Sequence, residues 1–280
     1  MKLRLITFAA IAAILTACGN PQTKGAAKSN LPAADITVNS TSELSAPAPI
    51  ILATFVPNSV ASWLGHIIMI DEDGNLHRST TDSQTHLIEK GNFTSAIGLG
   101  RIKKPGVFLA VNKKGTLKAF IEADNDGNFK LIPVSINDGT RLTGFCQNST
   151  PSPNSIWAVN SSGDVAQYNV LITDNASIAI EPIETSVERE ACTPLTYDED
   201  QSISVDSSAR LLTVEAQSQT KTVSINSGLS IAGISNPAYV GATKANMGSV
   251  FREGVILINE KKSGRIVLVA RDYFKDVVQH

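Results

Sequence analysis

Helical periodicity is missing from this chain. No segment of its 280 residues sustains apolar residues at i, i+3, i+4 and i+7 over three turns, which excludes a helical bundle. Aromatic residues make up only 5 %, and the two tryptophans, Trp63 and Trp157, are too few for a tryptophan-based repeat. No apolar run approaches 18 residues, so no segment reads as a membrane-spanning helix. Basic residues are not in excess: the formal net charge is −2, which argues against a polyanion or nucleic-acid partner. HExxH, GxSxG, P-loop and GxGxxG motifs are all absent. The four histidines are His66, His77, His86 and His280; they form no Cys/His cluster and read as scattered surface residues, with no metal or cofactor expected.

Cysteine is scarce too, at three residues, and the first is informative. Lys2 and Arg4 precede an apolar run from Leu5 to Leu15, the layout of a secretory leader. The boundary Leu15, Thr16, Ala17, Cys18 resembles the lipobox of bacterial lipoproteins. That resemblance implies cleavage before Cys18, a thioether-linked diacylglycerol on its sulfur and acylation, with palmitate or a similar chain, of its freed amine. Several acyl chains make a stable anchor where one would be marginal. Gly19, rather than Asp, after the cysteine implies sorting to the outer membrane, facing the periplasm or the cell surface. An ordinary cleaved leader with a chance cysteine is the other reading.

Without Lys2 and Arg4 of the leader, 22 basic residues stand against 26 acidic ones, a charge of −4. Cys146 and Cys192 remain in an oxidising compartment, where an even remainder points to one disulfide; two buried free thiols are the alternative. Residues 18–49 are rich in Ala, Ser, Pro, Asn and Thr, and read as the lipidated cysteine followed by a flexible tether. Within it, residues 34–40 form a candidate edge strand.

From residue 50 onward a pattern recurs: an apolar run, Asn or Asp, a few polar residues usually with Gly (the fourth copy has Ala209 in its place and the fifth reaches Gly264 late), then a second apolar run. The Asx positions are Asp71, Asn112, Asn160, Asp206 and Asn259, at spacings of 41, 48, 46 and 53 residues. Asx at the start of a tight turn accepts hydrogen bonds from the backbone ahead, and Gly takes the positive φ that closes it. Small-residue stretches precede each hairpin at 50–56, 93–99, 141–147, 190–196 and 229–235. A further strand candidate follows each at 85–91, 129–136, 178–184, 220–225 and 273–279. Four strands repeated five times, at periods of 40–50 residues, are the signature of a β-propeller. The expected blades are approximately 50–91, 92–136, 141–184, 189–225 and 229–280, with a sandwich of two sheets as the alternative. Cys146 and Cys192 fall at matching places in the innermost strands of blades three and four, where a disulfide's Cα separation is attainable.

These hairpins resemble β-propeller repeats of the PQQ-like and tectonin-like types, without the tryptophan-docking signature of the former. The likeness covers roughly residues 51–280 through turns and periodicity alone and implies an architecture, not a family.

Chemistry is harder to find. The expected inner strands contain no Asp and, at one edge, only Glu190, so the paired carboxylates of a glycosidase are not evident. "DEDGN" (71–75) and "DNDGN" (124–128) hint at calcium loops but lack the right Gly position and read as turns. The longer connections stand out instead. Tyr239, Met247, Phe251 and Arg252 of segment 236–254, with Arg101, Lys103 and Lys104 of an earlier loop, are candidate contacts for a protein partner. The expected function is non-enzymatic: an outer-membrane-anchored propeller lipoprotein that binds another envelope protein. A glycan- or small-ligand-binding module is the second reading, and a glycosidase- or lactonase-like enzyme the third.

Overall fold

The computed structural model describes residues 33–58, 61, 64–99, 106–123, 128–150, 152, 154–172, 177–183, 191–198, 200–216, 219–275 and 277. Residues Ala33–His280 form one unit by their contacts. Its strands in chain order are β1 (Ile36–Asn39), β2 (Ser42–Ser45), β3 (Ile50–Val56), β4 (His66–Asp71), β5 (Leu76–Ser79), β6 (His86–Glu89), β7 (Phe93–Leu99) and β8 (Val107–Asn112). They continue with β9 (Leu117–Glu122), β10 (Phe129–Ile132), β11 (Val134–Ile136), β12 (Leu142–Phe145), β13 (Ser155–Asn160), β14 (Val165–Ile172) and β15 (Ile178–Pro182). The last are β16 (Thr196–Asp198), β17 (Gln201–Asp206), β18 (Leu211–Ala216), β19 (Gln219–Asn226), β20 (Pro237–Thr243), β21 (Val255–Glu260) and β22 (Arg265–Ala270), before a short helix α1 (Asp272–Lys275).

These strands make five sheets: β3-β4-β5-β6, β7-β8-β9-β10, β12-β13-β14-β15 with β11 added, β16-β17-β18-β19 with β1 added, and β20-β21-β22 completed by β2. They are called sheets one to five here, in chain order. The central hairpin of each sheet is the predicted Asx hairpin. Asn112 Oδ1 accepts from the amides of Lys114 and Thr116, each at 2.9 Å, and Gly115 N donates to Asn112 O at 2.8 Å with φ at +73°. Asn160 does the same for Ser162 and Asp164, and Asp206 for Ser208 and Ala209. The fifth turn differs: Lys262 takes the positive φ, and Asn259 donates from its side chain to Ser263 O and Arg265 O.

Successive side chains face opposite sides of a sheet, and the central strands β4, β8 and β21 are largely apolar and buried on both. Buried clusters form where two such faces meet. One joins sheets one and two (Val56, Ile68, Phe93, Phe108), and another joins two and three (Leu99, Leu109, Ile156, Tyr168). A third joins four and five (Ile203, Val214, Ile258, Val267), and a fourth joins five and one (Leu257, Leu268, Phe55, Met69). Inner-strand contacts follow the same order. Gly98 N donates to Thr54 Oγ1 at 2.7 Å, Phe145 N to Ser95 Oγ at 3.0 Å, and Tyr239 Oη to Ala53 O at 2.9 Å. Cys146 and Cys192 are disulfide-bonded with Cα atoms 5.3 Å apart, joining sheets three and four. The result is an all-β, β-propeller-like fold.

Several expectations are corrected. Segment 18–49 is not a tether throughout: β1 lies parallel to β19, β2 lies antiparallel to β22, and Val38 and Leu44 are buried. The outer strand of sheet five is β2 rather than one from segment 273–279, whose residues 273–275 belong to α1. Phe274 and Val277, three apart as on a helical turn, pack instead into the cluster between sheets four and five. Segment 229–235 is not an inner strand. It curls back on β19, with Ile234 N bonded to Ile225 O at 2.9 Å, and β20 starts at Pro237, a strand-initiating position where no ladder donor is needed. The inner strand of sheet four begins at Thr196 rather than near 190, since Pro194 lacks an amide to donate. Cys192 therefore sits in irregular chain before β16, and Cys146 just past the end of β12. Segment 129–136 is two strands parted at Pro133, one in sheet two and one in sheet three.

Candidate functional site

Of the predicted contact residues, Arg101, Lys103 and Lys104 lie outside the described residues, as does Cys18. Tyr239 is not in a loop. It is within β20, its hydroxyl is tied to Ala53 O, and burial pushes that hydroxyl up to about 12. Met247 and Phe251 are 1 % and 2 % exposed, so neither is an interface anchor. Segment 244–254 folds onto itself and the core: Met247 N bonds Phe251 O at 3.0 Å and Phe251 N bonds Gly248 O at 2.8 Å. Their side chains enter the cluster between sheets five and one. Apolar residues in a long insertion gain more by burial there than by exposure. Arg252 alone of the four is exposed.

Two of the histidines read as surface residues are buried. His66 Nε2 lies 3.0 Å from Glu122 Oε1, and Glu122 Oε2 accepts from Gly106 N. This links β4 of sheet one to the end of β9 in sheet two. His77 Nε2 lies 2.7 Å from Asp71 Oδ2, which also accepts from Asn75 Nδ2, while Asn75 N donates to Asp71 Oδ1. Burial pushes the Asp71 carboxyl up, but the bonds from His77 and Asn75 outweigh it and hold it below its ordinary value. Asp71 is thus committed to its turn, the reading favoured over a calcium loop. Most of the second loop, 124–128, lies outside the described residues.

Because β16 is Thr196–Asp198, an inner strand does carry a carboxylate. Asp198 Oδ1 lies 3.4 Å from Arg271 Nη1 and 3.7 Å from Lys244 Nζ. Glu253 lies 4.0 Å from Arg271 and 3.5 Å from Lys275, and Asp272 lies 3.4 Å from Lys275. Arg271 also donates to Tyr197 O at 3.1 Å and to Glu253 O. Each carboxylate of this cluster faces a cation, an arrangement that ties the end of sheet five to β16.

Among the described residues, two concave places bear on binding. A cleft of about 830 Å³ runs along β1 between Thr37–Thr41, the loop Ser227–Ile231, and Asp272 and Tyr273. Leu229 stands on this rim with its side chain fully exposed, and Tyr273 is 56 % exposed beside it. Within its sheet, β1 has a strand partner on one side only. The second is a cavity of about 340 Å³ beside the disulfide, reached by Trp157 and Gln167 of sheet three, Gln147 and Asn148 after β12, Thr196 of β16 with Thr193 before it, and Ile97 and Gly98 of β7. Sequence reasoning placed Leu229 in an inner strand and Tyr273 in an outer one. The clue it passed over was the turn-rich composition of "NSGLSIAGISNP", residues 226–237.

No family model matches the chain, and no curated protein does. Among solved structures it is similar to a chain of the S. cerevisiae Dbp5 complex bound to Nup159, Gle1, IP6 and ADP, at 11 % identity and a TM-score of 0.29 over 72 % of this chain. This chain spans 62 % of that one. It is also similar to the β-propeller domain of Myceliophteria thermophila Cps50 (Swd1), at 7 % identity and a TM-score of 0.34, covering 82 % of this chain and 99 % of that one.

Proposed function

We propose that this protein is a five-bladed propeller lipoprotein, anchored through Cys18 in the outer membrane and facing the periplasm, that holds another envelope protein without catalysing a reaction. The blade count is supported by five sheets, each built on four consecutive or strand-completed antiparallel neighbours. The pairing of Asp198, Glu253 and Asp272 with cations favours a structural role for these three carboxylates.

The observation that carries the binding reading is Leu229. A leucine held wholly in water beside a half-exposed tyrosine, on the rim of a cleft, is the anchor pair of a contact surface rather than a packing residue. The one-sided strand β1 alongside offers backbone groups to which an extended segment of the partner adds. Residues 18 and 36 are separated by at most roughly 60 Å of stretched chain, so the partner would be met near the membrane.

The test is affinity capture from crosslinked envelopes. The wild-type chain is expected to recover one specific protein, which Leu229→Asp with Tyr273→Ser loses while melting at an unchanged temperature. Equal capture by that variant, or no capture by either, overturns the reading. Cys18→Ser should shift the protein from membranes to the soluble periplasmic fraction.

A further inference from the structure

Four of the five sheet-to-sheet junctions contain a buried apolar cluster. Among the described residues, the junction between sheets three and four contains none. The cause is visible in the strand alternation. In sheet three, Ile156, Ala158, Tyr168 and Val170 face sheet two, so Trp157 and its cross-strand partner Gln167 face the other way. In sheet four, Ile203, Leu212 and Val214 face sheet five, which turns Ser202, Ser204, Thr213 and Glu215 to the opposite side. Two largely polar faces meet at this seam, with Val165 and Leu211 their buried apolar residues but no apolar cluster among the described residues, and the Cys146–Cys192 disulfide spans it.

The cavity of about 340 Å³, within the range of about 300–1,000 Å³ usual for small-molecule sites, lies at that seam and extends to Ile97 and Gly98 on the inner strand of sheet two. None of the described residues that line it carries a charge. A charged ligand would leave water without a counter-charge to meet it, and an apolar one would strip water from amides and hydroxyls without replacing their hydrogen bonds. What remains is a neutral ligand dense in groups that both donate and accept. Gln147 Nε2 is taken by Ala96 O at 2.9 Å and Asn148 Oδ1 by Thr150 N at 2.9 Å. Gln147 thus offers its oxygen and Asn148 its NH₂, an acceptor and a donor side by side, as two neighbouring hydroxyls require. Trp157 adds a flat apolar surface to the wall, and Thr193 and Thr196 add hydroxyls opposite.

The geometry points to a binding site for a neutral saccharide unit in the seam between sheets three and four, with its far wall held by the disulfide. This site is separate from the partner cleft and does not depend on it.

The chain has two tryptophans, so Trp63→Phe in the full-length protein leaves Trp157 as the sole reporter. N-acetylglucosamine, glucose and trehalose are titrated by emission, and by calorimetry on the unaltered protein, up to about 10 mM, tenfold above a millimolar Kd. Glucuronate and glucosamine serve as charged counterparts. At least one neutral sugar should give a saturable response, about tenfold weaker for its charged counterpart and about tenfold weaker in Gln167→Leu, whose melting is unchanged. No saturable response by either method overturns the proposal. So does equal affinity for charged and neutral sugars, or undiminished binding in both Gln167→Leu and Trp157→Ala.

Discussion

Gly98 shows how closely the inner strands approach. A Cβ added there would sit 1.9 Å from Phe55 O, a backbone atom of the neighbouring sheet that cannot swing aside. Gly98→Ala is expected to lower unfolding free energy by about 1–3 kcal/mol, read from urea midpoints, because the strand must shift. Asp71 makes a second residue-scale prediction. Its carboxyl is held below the ordinary 3.8 in the fold, so the stability it contributes is fully present above 3.8 and is lost as pH falls through the folded value. Asp35, Asp138 and Asp206 are shifted in the same direction by their own turn and strand hydrogen bonds, but Asp71 is the one with a buried side chain. Urea midpoints of Asp71→Asn should therefore fall less steeply than those of the parent below pH 3.8. Parallel slopes would show that the buried His77 contact contributes no proton linkage.

At the scale of elements, the N-terminal strands matter most. β1 and β2 sit at the outer edges of sheets four and five, and between them bury Val38 at 4 % and Leu44 at 5 % exposure. Each such side chain is worth about 1.5–3 kcal/mol of burial. Thr41 Oγ1 accepts from Ala270 N at 3.1 Å and Asp35 clasps Thr222, so the strands are fastened at both ends. A chain starting at Ala33 should fold and elute as the full-length globule does. One starting at Pro47 should leave β22 with an open edge and aggregate, as size-exclusion chromatography would reveal. A monomeric, cooperatively melting truncation from Pro47 would mean that sheet five closes without β2.

For the whole molecule, the asymmetry of the five junctions sets the order of opening. Four are sealed by apolar clusters, and the one between sheets three and four, which has none among the described residues, is bridged by a disulfide across 46 residues of chain. The chain-entropy estimate for that loop is about 4 kcal/mol, and the loss on removing the bridge is expected to approach it. Cys146→Ser with Cys192→Ser should also raise amide exchange first in β12, β13 and β16–β18, while β4, β8 and β21 stay protected. Uniform loosening of all five sheets would argue that the seam is no weaker than the rest.

The five Asx hairpins, the all-β class and the Cys146–Cys192 pairing were legible in the sequence, because turn chemistry and strand alternation are local and recur at a readable period. Of residues 33–45 only part was legible: "ITVN" lies in the candidate edge strand 34–40, whereas "SELS" is too short and polar to announce a strand, and both pair because β19 and β22 present open edges from far along the chain. The same holds for Met247 and Phe251, apolar residues in a loop whose burial depends on the cleft left between two sheets. His66 and Glu122 become partners only across a sheet junction, and the polar seam emerges only when two largely polar faces are brought opposite each other. Local hydrogen bonding determined the hairpins from sequence alone. Which faces meet, and which junction was left without an apolar cluster among the described residues, depended on contacts distant in the chain, and those only the tertiary structure decided.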